Sequence, residues 1–307
     1  MNTPQTMPCC LHPTTILCVD DEKECLEKTA LNVNDDNVCL RFYRNPKEAL
    51  QIVQEQKPLQ ISHEIYNPQR FCRVSVLSTD YRMDGKNGLQ LCSEIGKNSI
   101  RKIIVSQHLP VKKAVEAVNS GLLRGYVEKN DIDAMQQLQA LLRQAVPEFF
   151  CQESGNFHDA GQRAGSALQD PAFLAWFLQL SRKHNIVEHY MLDEAGTFLL
   201  VDKNKQMLGL CVRSHEQLQQ QANQADILGA PNYVVHNVSS CSHMLCSPHL
   251  NNQHLSKEMP WERILHPTSK EVIQGQQKYY ICCRSDMFDI KTSDVLSFAQ
   301  YREQNAL

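Results

Sequence analysis

The sequence has no apolar run approaching the ~20 residues that a bilayer-spanning helix needs, so no membrane span is expected. It also lacks basic excess: 31 Lys and Arg stand against 34 Asp and Glu, a net charge of −3. Residues 1–150 carry 18 basic against 18 acidic side chains, and residues 151–307 carry 13 against 16. Neither half offers the positive footprint of a nucleic-acid binder or a polybasic membrane patch. The opening MNTPQTMPCCLHP has neither the basic nor the apolar region of a secretory signal. There is no G-x-G-x-x-G, P-loop or H-E-x-x-H motif, no basic helix-turn-helix pattern and no internal repeat.

What is present suits a globular protein. At 307 residues, with 42% hydrophobic and 21% charged, the chain has material for two cores of ~150 residues each. Its thirteen cysteines are an odd number, which argues against a fully paired disulfide framework. Cys18, Cys211 and Cys282 fall where core side chains are expected. Most cysteines therefore read as reduced, small hydrophobes of a cytoplasmic protein.

Residues 1–13 read as a flexible tail. Short apolar runs at 15–20, 38–43, 74–79, 102–106 and 125–128 alternate with helical stretches near 22–31, 46–56, 88–96, 109–119 and 131–150. The last is amphipathic, with Ile132, Met135, Leu138, Leu141, Leu142 and Val146 as its apolar positions. Residues 57–73, with two prolines, read as an inserted irregular segment. Five strand–helix rounds predict an α/β domain over 14–150, a five-stranded, doubly wound parallel sheet. The small and polar stretch 151–169 reads as a linker. Residues 170–307 change rhythm: a helix opened by Asp170-Pro171, strands at 186–192, 197–202 and 206–212 joined by hairpin-type turns, a Ser214–Gln217 capping box, a strand at 279–283 and a helix near 293–303. That is a smaller α+β domain with an antiparallel sheet.

In a doubly wound sheet, ligands bind at the carboxyl ends of the strands. Asp20 and Asp21 follow the first strand, Asp80 the third, Ser106 the fourth and Lys129 the fifth. Three converging carboxylates stay ionised only beside a cation or with shifted pKa values. Their hard oxygens suit Mg²⁺. Asp80 can act as a nucleophile toward phosphorus, Lys129 supplies a point charge and Ser106 a hydroxyl donor. Taken singly, each has a plain structural reading: helix cap, turn residue, loop hydroxyl, surface lysine. Their order along the strands is what joins them.

These residues stand in the segments Ile16-Leu17-Cys18-Val19-Asp20-Asp21-Glu22, Thr79-Asp80-Tyr81-Arg82-Met83 with Gly88 downstream, Val105-Ser106, and Gly125-Tyr126-Val127-Glu128-Lys129. In them, residues 14–150 resemble the receiver domain of bacterial two-component response regulators. The resemblance implies that Asp80 accepts a phosphoryl group from a histidine kinase or histidine phosphotransfer protein. It implies Mg²⁺ held by Asp20, Asp21, Asp80 and the backbone carbonyl of Arg82, with Lys129 binding phosphate and Ser106 and Tyr126 as a switch pair. Three positions depart from the family pattern: Asn130 replaces a proline after the lysine, Asp84 a proline after Met83, and Gln107 a small residue after Ser106.

The C-terminal half carries no such signature and resembles only the uncharacterised regions that accompany some receivers. A regulator acting through protein contacts, with homodimerisation through the face bearing Tyr126, is the leading expectation, and not an enzyme beyond its own phosphoryl transfer. Two others stand beside it: a ligand or metal sensor, and an output half acting on a phosphate ester. Cys241, His243, Cys246, His249 and His254 form the one cluster there with metal-ligand chemistry, at a spacing unlike a standard zinc finger.

Overall fold

Strands form where the apolar runs lie. A computed structural model describes residues 7–33, 35, 37–96, 98–154, 167–247 and 255–305. It opens with β1 (Cys10–Leu11), β2 (Thr14–Val19), α1 (Lys23–Asn32), β3 (Val38–Tyr43), α2 (Pro46–Gln54) and α3 (Ile61–Glu64). There follow β4 (Val74–Thr79), α4 (Gly88–Ile95), β5 (Arg101–Val105), α5 (Val111–Asn119), β6 (Gly125–Val127) and α6 (Ala134–Glu153).

β2 to β6 make one parallel sheet in the order β3-β2-β4-β5-β6. This is the doubly wound sheet expected from the sequence. Side-chain caps define the helices between strands. Asn45 accepts from Lys47 N at 3.0 Å ahead of Pro46, and Asn87 forms a capping box with Gln90 at the start of α4. The core collects Ile16, Val76, Ile103, Val127, Leu138 and Leu142. α6 starts later than the apolar period suggests, so Ile132 lies outside it, 99% exposed. The helix then runs through Pro147 to Glu153, into the stretch read as a linker.

The second sheet is antiparallel. α7 (Pro171–Lys183), capped by Asp170, leads to β7 (Ile186–Asp193), β8 (Thr197–Asp202), β9 (Met207–Ser214), α8 (His215–Ile227) and α9 (Asn232–Ser239). β10 (His243–Leu245), α10 (Trp261–Ile264), β11 (Leu265–Pro267), β12 (Val272–Gln274), β13 (Lys278–Arg284) and α11 (Phe298–Gln304) complete the described chain. The sheet order is β1-β7-β8-β9-β13-β12, and β10 pairs with β11 alone. The Ser214–Gln217 capping box is present.

The chain divides into two units that are not contiguous in sequence. One takes His12–Leu59, Gln69–Glu153 and Tyr301–Leu307; the other takes the described parts of Met1–Leu11, Gln60–Pro68 and Ser154–Gln300. Residues 10–11, placed in a flexible tail by the sequence reading, are a strand: Cys10 pairs with Tyr190 and Leu11 with His189. The cause is apolar content, since Met7, Cys9 and Cys10 are buried. The inserted segment 57–73 holds α3, and its middle groups with the antiparallel unit. Tyr301 groups with the parallel unit, where Arg41 Nη2 donates to its hydroxyl at 2.9 Å and Phe71 packs on its ring. Most of the linker stretch 151–169 lies outside the described residues. Among the described residues, no helix is long and apolar enough to cross a membrane.

Cysteine usage follows burial. Cys211 and Cys246 form a disulfide. Burial pushes the Cys18 and Cys282 thiols up to about 12, so both behave as small apolar groups.

Candidate functional site

Sheet register gathers the strand-end residues. Val19 lies opposite both Tyr43 and Thr79, Thr79 opposite Ile104, and Val105 opposite Val127. The residues that follow, Asp20, Asp80, Ser106 and then Glu128 and Lys129, therefore emerge along one edge. Backbone bonds lock that edge: Asp20 N donates to Tyr43 O at 3.1 Å, Asp80 N to Val19 O at 2.9 Å and Ser106 N to Val127 O at 3.0 Å.

Lys129 sits at the centre. Its Nζ lies 2.7 Å from Asp20 Oδ2 and 2.7 Å from Asp80 Oδ1. Asn130 in place of the usual proline thus leaves the ammonium within reach of both carboxylates. Asp20 Oδ1 accepts from Glu22 N at 3.0 Å, and Asp80 Oδ2 accepts from Arg82 N at 2.5 Å. Both aspartates are buried. Burial raises the Asp20 pKa, opposed by its hydrogen bond to Lys129. Burial pulls Lys129 down, but its bonds to Asp20 and Asp80 outweigh that and hold it above the ordinary lysine range. The ammonium is therefore a fixed positive charge.

Asp21 stands further out, its Oδ2 accepting from Asp84 N at 3.2 Å. Asp84, where the family has a proline, thus supplies an N–H that a proline would lack. A cavity of about 270 Å³ opens here, lined by Asp21, Asp80, Arg82, Gln107 and Lys129 among others. Ser106 is fully buried, and its Oγ accepts from His108 N at 3.2 Å. The Tyr126 hydroxyl lies 2.8 Å from Ser106 O and 2.5 Å from Glu128 Oε2. Burial and then the Glu128 bond push that phenol up, so it remains a donor.

The donor set fits a hard dication. The buried Asp20 and Asp80 share one ammonium, Lys129, among the described residues, and Asp21 adds a third carboxylate at the same edge. The uncompensated negative charge is carried by oxygen alone. A second grouping escaped the sequence reading: donor atoms of Asp20, Glu22 and Cys25 lie within 4.8 Å of one another. The i, i+3 spacing of Glu22 and Cys25, just after Asp20, was the available signal.

The Cys/His segment does not gather. Cys246 is joined to Cys211 in the core. The Cys241 sulfur lies 3.2 Å from His215 Nδ1, and His243 Nδ1 lies 3.1 Å from Ser242 Oγ. Of the three, only His243 lies in β10. His249 and His254 lie outside the described residues. Among the described residues, Cys241, His243 and Cys246 make no metal-ligand group.

Comparison with known proteins agrees with this geometry. Residues 16–142 match the family model of the response regulator receiver domain. No curated protein sequence matches the chain. Among solved structures, the Legionella pneumophila response regulator LqsR is 26% identical, with a TM-score of 0.79, over 97% of this chain and 95% of its own. A signal receiver domain of an HD domain-containing protein from Pseudomonas fluorescens is 21% identical, with a TM-score of 0.36, over 45% of this chain and 98% of its own. Residues 16–142 belong to the response regulator receiver family.

Proposed function

We propose that this protein is a two-component response regulator, phosphorylated on Asp80 in the cytoplasm by a histidine kinase or histidine phosphotransfer protein. The receiver spans residues 14–150, and residues 170–307 carry the output through protein contacts. The observation that supports this most is the Lys129 ammonium held 2.7 Å from both Asp20 and Asp80 at the sheet edge. The near full-length likeness to a Legionella response regulator supports the same class.

In this reading an Asp80 carboxylate oxygen attacks the phosphorus of a phosphohistidine, the P–N bond breaks, and an acyl phosphate forms. Lys129 is already in place to pair with the incoming phosphoryl oxygens. Asp20, Asp21, Asp80 and the Arg82 carbonyl would hold Mg²⁺, which would neutralise charge on those oxygens. Ser106 would turn its hydroxyl from His108 N toward the phosphoryl group. Its carbonyl is tied to the Tyr126 hydroxyl, so the movement passes to Tyr126. The test is acyl labelling by a small phosphodonor with and without Mg²⁺. Labelling that needs Mg²⁺ and maps to Asp80 is expected; a chain that takes no label under either condition contradicts the reading.

A further inference from the structure

Ser78 places a hydroxyl inside the parallel unit. It stands in β4 between Cys18 of β2 and Ile103 of β5, and it is 6% exposed. Among the described residues its side chain makes no hydrogen bond, although a buried hydroxyl is costly without one. It lines a cavity of about 180 Å³ that is also lined by Asp20, Glu22 and Cys25. Donor atoms of those three lie within 4.8 Å of one another. Tetrahedral coordination by sulfur and oxygen spaces its ligands by ~3.5 Å, so little closure is needed. The start of α1 holds the set. Glu22 is the N-cap of that helix, yet its carboxylate makes no capping bond. It accepts instead from Cys25 Sγ at 3.1 Å, while Glu22 N donates to Asp20 Oδ1 at 3.0 Å. Lys28 and Lys129 line the cavity too, against the carboxylates of Asp20, Glu22 and Asp80. Negative charge is in excess before the thiol ionises. An acidic, sulfur-bearing cavity with an unanswered hydroxyl in its wall suits a hydrated cation.

We propose that Asp20, Glu22 and Cys25 bind a thiophilic dication of the Zn²⁺ class, with Ser78 holding a water ligand of the ion inside the cavity. One sulfur beside two oxygens selects Zn²⁺ over Mg²⁺, which takes oxygen ligands. The thiol proton leaves to water as the metal–sulfur bond forms. The set shares only Asp20 with the residues proposed for Mg²⁺. Zn²⁺ there draws Asp20 away from Lys129 and from Mg²⁺, and so inhibits phosphorylation of Asp80. That consequence rests on the phosphorylation reading above; the metal site does not.

Co²⁺ titrated into the folded full chain tests the site, because thiolate-to-cobalt absorption in the near ultraviolet reports a sulfur ligand. The parent should bind one Co²⁺ more than Cys25→Ser, with absorption that the variant lacks, and Zn²⁺ should displace that ion. Glu22→Gln, at an exposed position, should weaken binding at least about tenfold. Far-ultraviolet circular dichroism checks that both variants are folded. Equal stoichiometry and absorption in the parent and a folded Cys25→Ser would overturn the site. So would an unchanged affinity in a folded Glu22→Gln. With excess Mg²⁺ and a small phosphodonor, equimolar Zn²⁺ should slow labelling of Asp80 about tenfold in the parent and leave Cys25→Ser unaffected. Equal labelling rates with and without Zn²⁺ in the parent, or equal slowing in both proteins, would overturn the inhibitory role. A parent that takes no label even without Zn²⁺ contradicts the phosphorylation reading instead, and the cobalt titration still decides the site.

Discussion

Lys129 is the counterion of two buried carboxylates, Asp20 and Asp80, which makes it a brace of the strand edge. Asp20 and Asp21 have a different charge role, and their contribution is separable. Replacing both with Asn removes two negative charges from the strand edge. Mg²⁺ affinity should fall at least about tenfold, because a hydrated dication needs concentrated charge. Isothermal titration calorimetry checks this, and an unchanged affinity would contradict the ligand set. His189 gives a second prediction at this scale. Burial lowers its pKa from 6.5 to about 4, against its hydrogen bond to Pro8 O. Between those values the unfolded chain binds more protons than the folded one. Stability should therefore fall as pH drops from 6.5 toward 4, by up to roughly 3 kcal/mol. Denaturant unfolding at pH 7 and pH 5 should show a smaller loss in His189→Gln than in the parent. Asp20, Asp80, Ser106 and Lys129 were legible in sequence because each ends an apolar run. His189 was not, because its burial depends on β1 covering it from far along the chain.

Strands laid on a local apolar run announce themselves, even the three-residue β6, and strands without such a run do not. β2, β4, β8 and β9 follow long apolar runs. β1, β10, β11 and β12 have two or three residues each and exist by pairing, which no local pattern records. Helix α4 shows how an element sets the site. A Cβ on Gly88, its first residue, would lie 2.1 Å from Asp80 O and 3.2 Å from Thr79 Cγ2. Only glycine lets α4 pack this closely on the Asp80 turn. Gly88→Ala should destabilise the chain by about 1–3 kcal/mol and slow phosphorylation of Asp80. Urea unfolding and the labelling rate are the measurements; wild-type values for both would contradict this packing role.

The whole molecule is built from interleaved segments. The sequence indicated an α/β half followed by an α+β half, and both sheets are present. It did not show that residues 10–11 and the middle of the insertion group with the second unit, or that Tyr301 groups with the first. Such exchanges rest on contacts between distant residues, such as Arg41 with Tyr301. On the parallel unit, Val111, Val115 and Val118 recur at helical spacing along α5 and are 73%, 52% and 39% exposed. An apolar stripe of this kind, next in sequence to the strand bearing Tyr126, suits self-association once Tyr126 moves. Sedimentation at micromolar concentration should show a larger species with beryllofluoride and Mg²⁺ than without. An identical mass in both would remove association from the account.

Asp80 is proposed as the sole phosphoryl acceptor. Intact-mass spectrometry of the full chain and of Asp80→Asn, each incubated with a small phosphodonor and Mg²⁺, tests it most directly. One acid-stable, base-labile phosphoryl addition is expected on the parent and none on the variant. The same Mg²⁺-dependent addition on Asp80→Asn would contradict it.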